Sequence, residues 1–343
     1  MKVLLTGGGT LGSVSPLLAI VPELRKRGHE LVWVGTPNGP ERLFIEQMNI
    51  PFYSMVSPKV HRFLTWKHLL LPYTLLTSLH QAKKLIKQLQ PDVIVSAGGF
   101  TAVTLTWVGK GKQIPSVIHQ QDIAPGLANN LMAPFANAIT VTFESSLHHF
   151  NKKKSEWIGN PVRDLIPTTA AFDWDDEYPT VLIFGGGTGA RALNELVTAE
   201  LCQFAQIIHV KGKGREGEMQ QFEHERYHAF ELLEEEMKEA LQKADVVVAR
   251  AGLGTISELA ALGKPSIIIP MPDTHQEANT DILGKAGAAV ILDQRAISAG
   301  EFAEQVQALV EDSERQSELS AAIQTVIKPG ANMKLVDIIE KQQ

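Results

Sequence analysis

The chain has 343 residues, of which 44% are hydrophobic and 20% charged, and its formal net charge is −6. This composition is typical of a globular protein of roughly two domains, and the negative charge lacks the basic footprint of a nucleic-acid-binding protein. Its single cysteine, Cys202, excludes an intrachain disulfide framework and suits a reducing cytoplasm.

Short apolar runs alternate with helical patterns through the first half of the chain. A helix is predicted over 16–27, where Leu17, Ile20 and Leu24 recur at helical spacing. Alternating elements of this kind predict a parallel sheet. The predicted strands of this half are 3–5, 31–34, 93–95, 116–118 and 139–141.

An acidic stretch bracketed by Pro167 and Pro179 is typical of a linker, and the second half then repeats the plan. We therefore predict an amino-terminal domain over 1–164, a linker over 165–179 and a carboxy-terminal domain over 180–343, whose last helices could pack back on the first domain. The predicted strands of the second half are 180–184, 206–210, 246–249, 266–270 and 289–292, followed by a helix over 301–311.

Two glycine-rich turns, 7–12 and 185–191, each follow a predicted strand and lead into a helical pattern. Such turns let backbone N–H groups approach a phosphate, aided by the helix dipole. They formally satisfy dinucleotide fingerprints, but no acid follows the second strand at Gly35 and Thr36, so NAD binding is disfavoured. Neither turn has the lysine of a P-loop, which disfavours an ATPase.

Residues 244–259 are predicted to form a buried strand, a turn of small residues and a helix beginning near Thr255. Free N–H groups around Leu253, Gly254 and Thr255 could meet a diphosphate. Glu258 could accept hydrogen bonds from two ribose hydroxyls, although a carboxylate also simply favours a helix amino terminus.

This stretch resembles the nucleotide-binding region of the GT-B glycosyltransferases, and is most similar to the MurG family of bacterial N-acetylglucosaminyltransferases, which make lipid II for peptidoglycan. The likeness extends over nearly the whole chain. The matching segments, in order, are 6–10, 96–100, 159–163, 185–191, 250–258 and 275–279.

The resemblance implies two Rossmann-like domains facing across a cleft, with UDP-N-acetylglucosamine in the carboxy-terminal one. It implies inverting transfer to a polyprenyl-diphosphate-linked acceptor, lipid I, at the cytoplasmic face of the bacterial cell membrane, with no cofactor and no metal. Carried over by position, the substrate-binding residues are Thr10, Leu11, Gly12, Asp122, Arg163, Gly187, Thr188, Leu253, Gly254, Thr255, Ile256, Ser257, Glu258, Gln276 and Asn279.

Two departures fall where catalysis is expected. Ser13 stands where the family has a histidine, and Gln120 stands where it has a glutamate, while a carboxylate appears at Asp122. A serine alone is too weak a base at neutral pH. Asp122 and His119 are the candidate bases, against the structural alternatives of a hydrogen-bonding loop residue and a satisfied histidine. Two alternative functions stay open. The protein could be a GT-B transferase with a different acceptor, or a catalytically silent homologue that binds UDP-sugar.

The segment from His61 to Lys87 combines apolar, aromatic and basic residues, and within the resemblance it predicts peripheral membrane contact. A helix packed on the sheet with a basic outer face is the alternative. Asp173 and Asp175 resemble an Asp-x-Asp metal motif, but their proline-flanked acidic surroundings favour a solvated linker.

Overall fold

The chain forms two compact units, described here from a computed structural model. The first unit is Met1–Arg163 together with Lys328–Gln343, and the second is Asp164–Ile327. The last helix therefore belongs to the first unit. The structure describes residues 1–8, 14–39, 41–58, 71–167, 170, 172, 177–186, 189–212, 214 and 222–343, with only the backbone at 275.

The first unit is built on a parallel sheet with the strand order β3-β2-β1-β4-β5-β6-β7 in its described part. Its strands are β1 (Lys2–Thr6), β2 (Glu30–Gly35), β3 (Phe52–Ser54), β4 (Val93–Ser96), β5 (Ser116–Gln120), β6 (Ala138–Val141) and β7 (Ser155–Trp157). Its helices are α1 (Ser15–Lys26), α2 (Glu41–Gln47), α3 (Leu71–Leu89), α4 (Phe100–Gly111), α5 (Leu127–Met132) and, from the end of the chain, α12 (Ala331–Glu340).

The second unit repeats this design with the strand order β10-β9-β8-β11-β12-β13 in its described part. Its strands are β8 (Thr180–Phe184), β9 (Gln206–Val210), β10 (Tyr227–Phe230), β11 (Val246–Ala249), β12 (Ser266–Ile268) and β13 (Val290–Ile291). Its helices are α6 (Arg191–Asn194), α7 (Glu236–Lys243), α8 (Leu253–Leu262), α9 (His275–Lys285), α10 (Ala299–Glu311) and α11 (Ser313–Val326).

Both sheets reverse their strand order next to the first strand of the unit. In the first unit β1 pairs with β2 on one side and β4 on the other, and in the second unit β8 pairs with β9 and β11. Loops on either side of such a reversal diverge and leave a crevice at the carboxyl ends of the strands, where open α/β sheets bind ligands. The glycine turns that follow β1 and β8 therefore lie at the switch point of each sheet.

The two faces of the first sheet are covered by different helices. Val3 and Leu5 join the core cluster that includes side chains of α1 and α12, whereas Leu4 joins the cluster that includes side chains of α3 and α4. This split follows from the two-residue period of a strand. Parallel strands covered on both faces are apolar throughout, which explains why the inner strands were recognisable as continuous apolar runs.

The α12 helix is tied to the end of the first unit by an asparagine. The side chain of Asn332 accepts from the backbone N–H of Val162 at 2.9 Å and donates to its carbonyl at 2.8 Å. Its Nδ2 also donates to the carbonyl of Ala19 at 3.0 Å. This amide therefore joins α12, α1 and the segment that leads to Arg163.

The predicted strands are confirmed, although β12 and β13 are shorter than predicted. Three strands were missed: β3, β7 and β10. All three lie at a sheet edge. Edge strands are half exposed and short, so their sequences, such as Ser155-Glu156-Trp157, lack the apolar run that identifies a buried strand.

Candidate active site

Two glycine turns meet at the switch point of the first sheet. Gly98 and Gly99 follow β4 with φ of 125° and 98°, a region that side-chain-bearing residues rarely adopt. A Cβ at Gly99 would lie 3.1 Å from the carbonyl oxygen of Gly8, so the turns touch through their backbones. The predicted residues Thr10, Leu11, Gly12 and Ser13 lie outside the described residues.

A buried carboxylate that the sequence analysis missed lies beside this turn. Glu41, the first residue of α2, is 0% exposed and accepts from the backbone N–H of Thr36 at 2.9 Å and from its hydroxyl at 2.7 Å. A Cβ on Gly8 or Gly39 would lie 2.2 or 2.0 Å from a carboxylate oxygen of Glu41. An acid thus does reach the end of β2, but it is buried and bonded to Thr36, which differs from the exposed ribose-binding acid of dinucleotide sites.

His119 is part of a buried polar network at the end of β5. Its side chain is fully buried, with Nδ1 2.9 Å from the Thr140 hydroxyl and Nε2 2.9 Å from Oδ1 of Asn160. Burial lowers the pKa of the imidazole from 6.5 to about 4, against the opposing effect of the bond to Asn160. Of the two roles that the sequence left open, this geometry favours the satisfied histidine.

Gln120 and Asp122 have opposite environments. Gln120 is 2% exposed, and its amide donates to the carbonyls of Asp122 at 2.7 Å and Ala124 at 3.3 Å. Its Oε1 accepts from Nδ2 of Asn129 on α5 at 2.6 Å. Asp122 is exposed in the loop that follows β5. The glutamine is therefore a scaffold residue, whereas Asp122 is an exposed residue of the loop.

In the second unit, the predicted ligand-binding residues of the β11–α8 segment differ in exposure and fall into two sets. Ile256 and Ser257 are buried, and the Ser257 hydroxyl donates to the carbonyl of Leu253 at 2.7 Å. Gly254 is exposed, and Thr255 and Glu258 are partly exposed. The spacing of 254, 255 and 258 places these three on one helix face.

The amino end of α8 is suited to bind an anion. Its N-cap residue is Gly252, which has no side chain to cap the first N–H groups of the helix. The first N–H groups of a helix have no intrahelical partner, and the helix dipole adds positive potential there. The backbone N–H groups of Leu253, Gly254 and Thr255 are thus available to hydrogen-bond an anion.

Two side chains hold the β11–α8 turn and the loop after β12 together. Arg250 is 6% exposed and donates to the carbonyls of Ile269 at 3.0 Å and Pro270 at 3.1 Å, and to Gln294 Oε1 at 2.5 Å. Asn279 is 2% exposed, and its Nδ2 donates to the carbonyl of Ala251 at 2.9 Å. Burial lowers the pKa of the Arg250 guanidinium. Arg250 lies in the matching segment 250–258, but the sequence predicted no role for it.

Gln276 lies in the first turn of α9, after the loop that Arg250 holds. Its Oε1 accepts from the backbone N–H of Met271 at 2.9 Å, and its own N–H donates to the side chain of Thr274, the N-cap of α9. The Gln276 side chain is partly exposed, unlike that of Asn279. Of the two residues predicted at the donor sugar, Gln276 is thus the one near the surface.

The second glycine turn follows β8 at the switch point of the second sheet. A Cβ at Gly185 would lie 2.5 Å from the backbone nitrogen of Ala190, so the turn requires a glycine there. Gly186 has a φ of 88°. Gly187 and Thr188 lie outside the described residues, and Arg163, at the end of the first unit, is exposed.

A second buried histidine supports the helix after this turn. Nε2 of His209 lies 3.1 Å from Oδ1 of Asn194, and Nδ1 lies 2.9 Å from the Tyr227 hydroxyl. Asn194 in turn donates to the carbonyl of Lys211 at 3.0 Å. Burial lowers the pKa of His209 to about 3, with the charge of Lys211 acting in the same direction. His209 is therefore neutral and structural.

No group of three or more His, Cys, Asp or Glu side chains in the described part of the chain is arranged to hold a metal ion. Asp173 and Asp175 are not among the described residues. Of the predicted membrane segment, only α3 is described, and it exposes Tyr73 (71%) and Leu76 (68%). No helix within the described ranges has the length and apolarity needed to cross a bilayer.

The two parallel-sheet units, each with a glycine turn at its switch point, define the predicted GT-B class of glycosyltransferase. The chain belongs to glycosyltransferase family 28: residues 3–141 match the family's N-terminal domain and residues 180–339 its C-terminal domain. The resemblance found in the sequence is thereby confirmed.

Relatives and a solved structure match over most of the chain. A protein of Clostridium perfringens named UDP-N-acetylglucosamine–N-acetylmuramyl-(pentapeptide) pyrophosphoryl-undecaprenol N-acetylglucosamine transferase is 32% identical over 99% of this chain and 98% of its own. A protein of the same name from Clostridium botulinum is 35% identical over 85% and 86%. The crystal structure of Acinetobacter baumannii MurG is 25% identical, covers 99% of both chains and superposes with a TM-score of 0.78.

Proposed function

We propose that this protein transfers N-acetylglucosamine from UDP-N-acetylglucosamine to lipid I (undecaprenyl-diphospho-N-acetylmuramoyl-pentapeptide), with inversion at the sugar carbon, and so makes lipid II for peptidoglycan. The observation that carries the proposal is the end-to-end match to a transferase named for this reaction, at 32% identity over 98% of that protein. The corresponding biological roles are cell-wall biogenesis, cell shape and cell division.

The donor nucleotide is assigned to the second unit. The uncapped amino end of α8 supplies N–H groups to the diphosphate, and Glu258, about one turn further on, accepts from the ribose hydroxyls. The amide of Gln276 contributes to binding of the sugar. The turn at Gly187 and Thr188 is assigned to the diphosphate on the resemblance alone.

Departure of UDP places new negative charge on the β-phosphate oxygen. The dipole of α8 and the N–H groups at its start stabilise that charge because they are oriented before the reaction begins. Arg163 is assigned to the same diphosphate on the resemblance alone. These groups can carry out the electrostatic work that a bound cation performs in other transferases.

The lipid-linked acceptor is assigned to the switch point of the first sheet, where the turns after β1 and β4 meet. Its lipid lies in the membrane, so the enzyme binds the cytoplasmic face as a peripheral protein. The exposed Tyr73 and Leu76 on α3, with the exposed Lys83 and Lys84 about two to three turns further on, support an interfacial contact.

The transfer reaction is tested with radiolabelled UDP-N-acetylglucosamine and a short-chain lipid I analogue. Labelled lipid and UDP are followed together, with a reaction lacking acceptor as control. Equal amounts of labelled product and acceptor-dependent UDP are expected. Donor binding without any labelled lipid would refute the assignment, and would favour a different acceptor or a silent UDP-sugar-binding homologue.

Membrane binding is tested by sedimentation with vesicles containing anionic lipid. We expect Tyr73→Ser with Leu76→Ser to lower the bound fraction. Met333→Ser, which changes an apolar residue 58% exposed on α12 of the same unit, serves as the matched control. Equal binding of both variants would refute the assigned surface.

A further inference from the structure

The loop after β5 is held in place by side chains rather than by regular secondary structure. Gln120 donates to the carbonyls of Asp122 and Ala124 at 2.7 and 3.3 Å. Ser146, from the 3₁₀ turn Glu144–His149, donates to the intervening carbonyl of Ile123 at 2.9 Å. Three consecutive carbonyls are thus fixed, so the backbone that carries the Asp122 side chain has a defined position.

The chemistry of this arrangement requires an amide at position 120. Gln120 donates through Nε2 and accepts through Oε1, which takes a hydrogen bond of 2.6 Å from Asn129. An ionised glutamate has the same shape but only accepts, so it could not bond the two carbonyls. Replacing the amide by a carboxylate would leave these two partly buried bonds unmade. Gln120 is therefore built to hold the loop, not to exchange protons.

Asp122 occupies the edge of the sheet at which open α/β sheets bind ligands. The loop after β5 lies beside the loop after β4, which touches the turn after β1. Two other carboxylates lie at this edge within the described residues. Glu41 is buried against Thr36, and Glu144 follows β6, one strand further from the switch point. Asp122 is thus the exposed carboxylate nearest to the reversal in strand order.

We propose that Asp122 accepts the proton of the attacking acceptor hydroxyl, and that Gln120 is the positioning residue that holds Asp122 for this step. The inference rests on the proposed function. The hydroxyl oxygen forms a bond to C1 of N-acetylglucosamine while its proton passes to the Asp122 carboxylate. The bond from C1 to the UDP oxygen breaks, and its electron pair leaves with UDP. Asp122 then releases the proton to water.

Other titratable groups face the loop and must be separated from Asp122 in a pH profile. They are His119 on β5, and Glu144, His148 and His149 on the neighbouring 3₁₀ turn, whereas α5 carries none. His119 has both ring nitrogens in hydrogen bonds within the core. Glu144 is exposed and provides a matched carboxylate control.

The experiment compares wild type with Asp122→Asn, Gln120→Glu, the double variant with both changes, and Glu144→Gln. In Asp122→Asn we expect kcat to fall by about 10²- to 10⁴-fold, the usual contribution of a general base, with KM for UDP-N-acetylglucosamine within about twofold. The double variant returns a carboxylate to position 120 and should remain as slow as Asp122→Asn. Glu144→Gln should match wild type.

The Gln120→Glu variant tests the positioning role. Gln120→Glu removes both donors to the loop carbonyls, so kcat should fall while donor KM stays within about twofold. Because a second carboxylate disfavours ionised Asp122, the acid limb of the kcat profile should also move to higher pH. A merely structural role would lower the melting temperature but leave kcat per donor-binding protein near that of wild type.

Three results would overturn the inference. The assignment of Asp122 fails if Asp122→Asn keeps kcat near that of wild type, or if the double variant recovers activity. The assignment of Gln120 fails if its variant shows only the structural effects. Wild type that binds UDP-N-acetylglucosamine but makes no labelled lipid would refute the proposed function itself, and the inference with it.

Discussion

Replacing Arg250 by methionine tests whether the donor half depends on a buried, charged clip. Arg250 donates to two backbone carbonyls and to Gln294, yet no carboxylate of the described chain pairs with it. Methionine keeps much of the volume but leaves the carbonyls of Ile269 and Pro270 without this donor. Hydrogen bonds to a charged group are worth about 1.5–3 kcal/mol each. Part of this loss is offset because the methionine variant no longer buries a charged guanidinium, which is costly to desolvate.

We therefore expect Arg250→Met to lower the free energy of unfolding by about 2–4 kcal/mol, which for a domain of this size is roughly 5–15 °C in melting temperature. The loop that it holds leads to Gln276 at the start of α9, so KM for UDP-N-acetylglucosamine should rise as well. Differential scanning calorimetry measures the change in unfolding, and steady-state rates at varied UDP-N-acetylglucosamine measure the change in KM.

Arg295→Met is the matched control, because Arg295 is an exposed arginine that pairs with Asp273 at 2.6 Å. Exposed ion pairs contribute about 0–1 kcal/mol, so this variant should unfold close to wild type. If Arg250→Met were as stable as Arg295→Met, the clip would not hold the donor loop and the reasoning would be wrong.

Three further outcomes are expected. Glu258→Ala should weaken UDP-sugar binding by about 1–3 kcal/mol in calorimetry if the carboxylate accepts from ribose, and an unchanged Kd would count against the pocket. His119 and His209 have pKa values lowered by burial from 6.5 to about 4 and about 3, so the unfolded state takes up protons first as the pH falls. The stability that the two neutral histidines contribute is fully present above pH 6.5. In urea titrations each histidine should lower the free energy of unfolding by about 2 kcal/mol by pH 5, and His119→Gln should reduce that loss. Gly39→Ala should destabilise the first unit because its Cβ would lie 2.0 Å from Glu41, and adding Glu41→Ala should restore part of the loss in a double-mutant cycle.

The sequence predicted the architecture because the features that define it are local. Strands such as β8 and β11 are buried on both faces and appear as apolar runs, and the glycine turns adjoin them directly. The position of α12 is different in kind. It depends on Asn332 reaching Val162, two residues that are far apart in the chain, and no local pattern carries that contact.

The candidate site was predicted in its segments but not in the roles of individual residues. Glu41 escaped notice because the acid expected at the end of β2 comes instead from α2, through a contact with Thr36 that depends on the fold. Arg250 was visible in a matching segment, but its partners Ile269 and Pro270 are backbone carbonyls, which every residue possesses. Side-chain identity alone does not reveal a bond of that kind.

The polar residues of the matching segments are of two kinds, those that are buried and bonded to the backbone and those that are partly exposed. Ser257 and Asn279 are buried and bonded to backbone carbonyls, whereas Glu258, on the same helix as Ser257, is partly exposed. A polar residue of the first kind is constrained by its donor and acceptor pattern, since leaving the carbonyl unpaired is costly. Gln120 belongs to this kind, because its buried amide donates to two backbone carbonyls of the loop. In the proposed mechanism the carboxylate that serves the acceptor is that of Asp122, two residues further along the same loop.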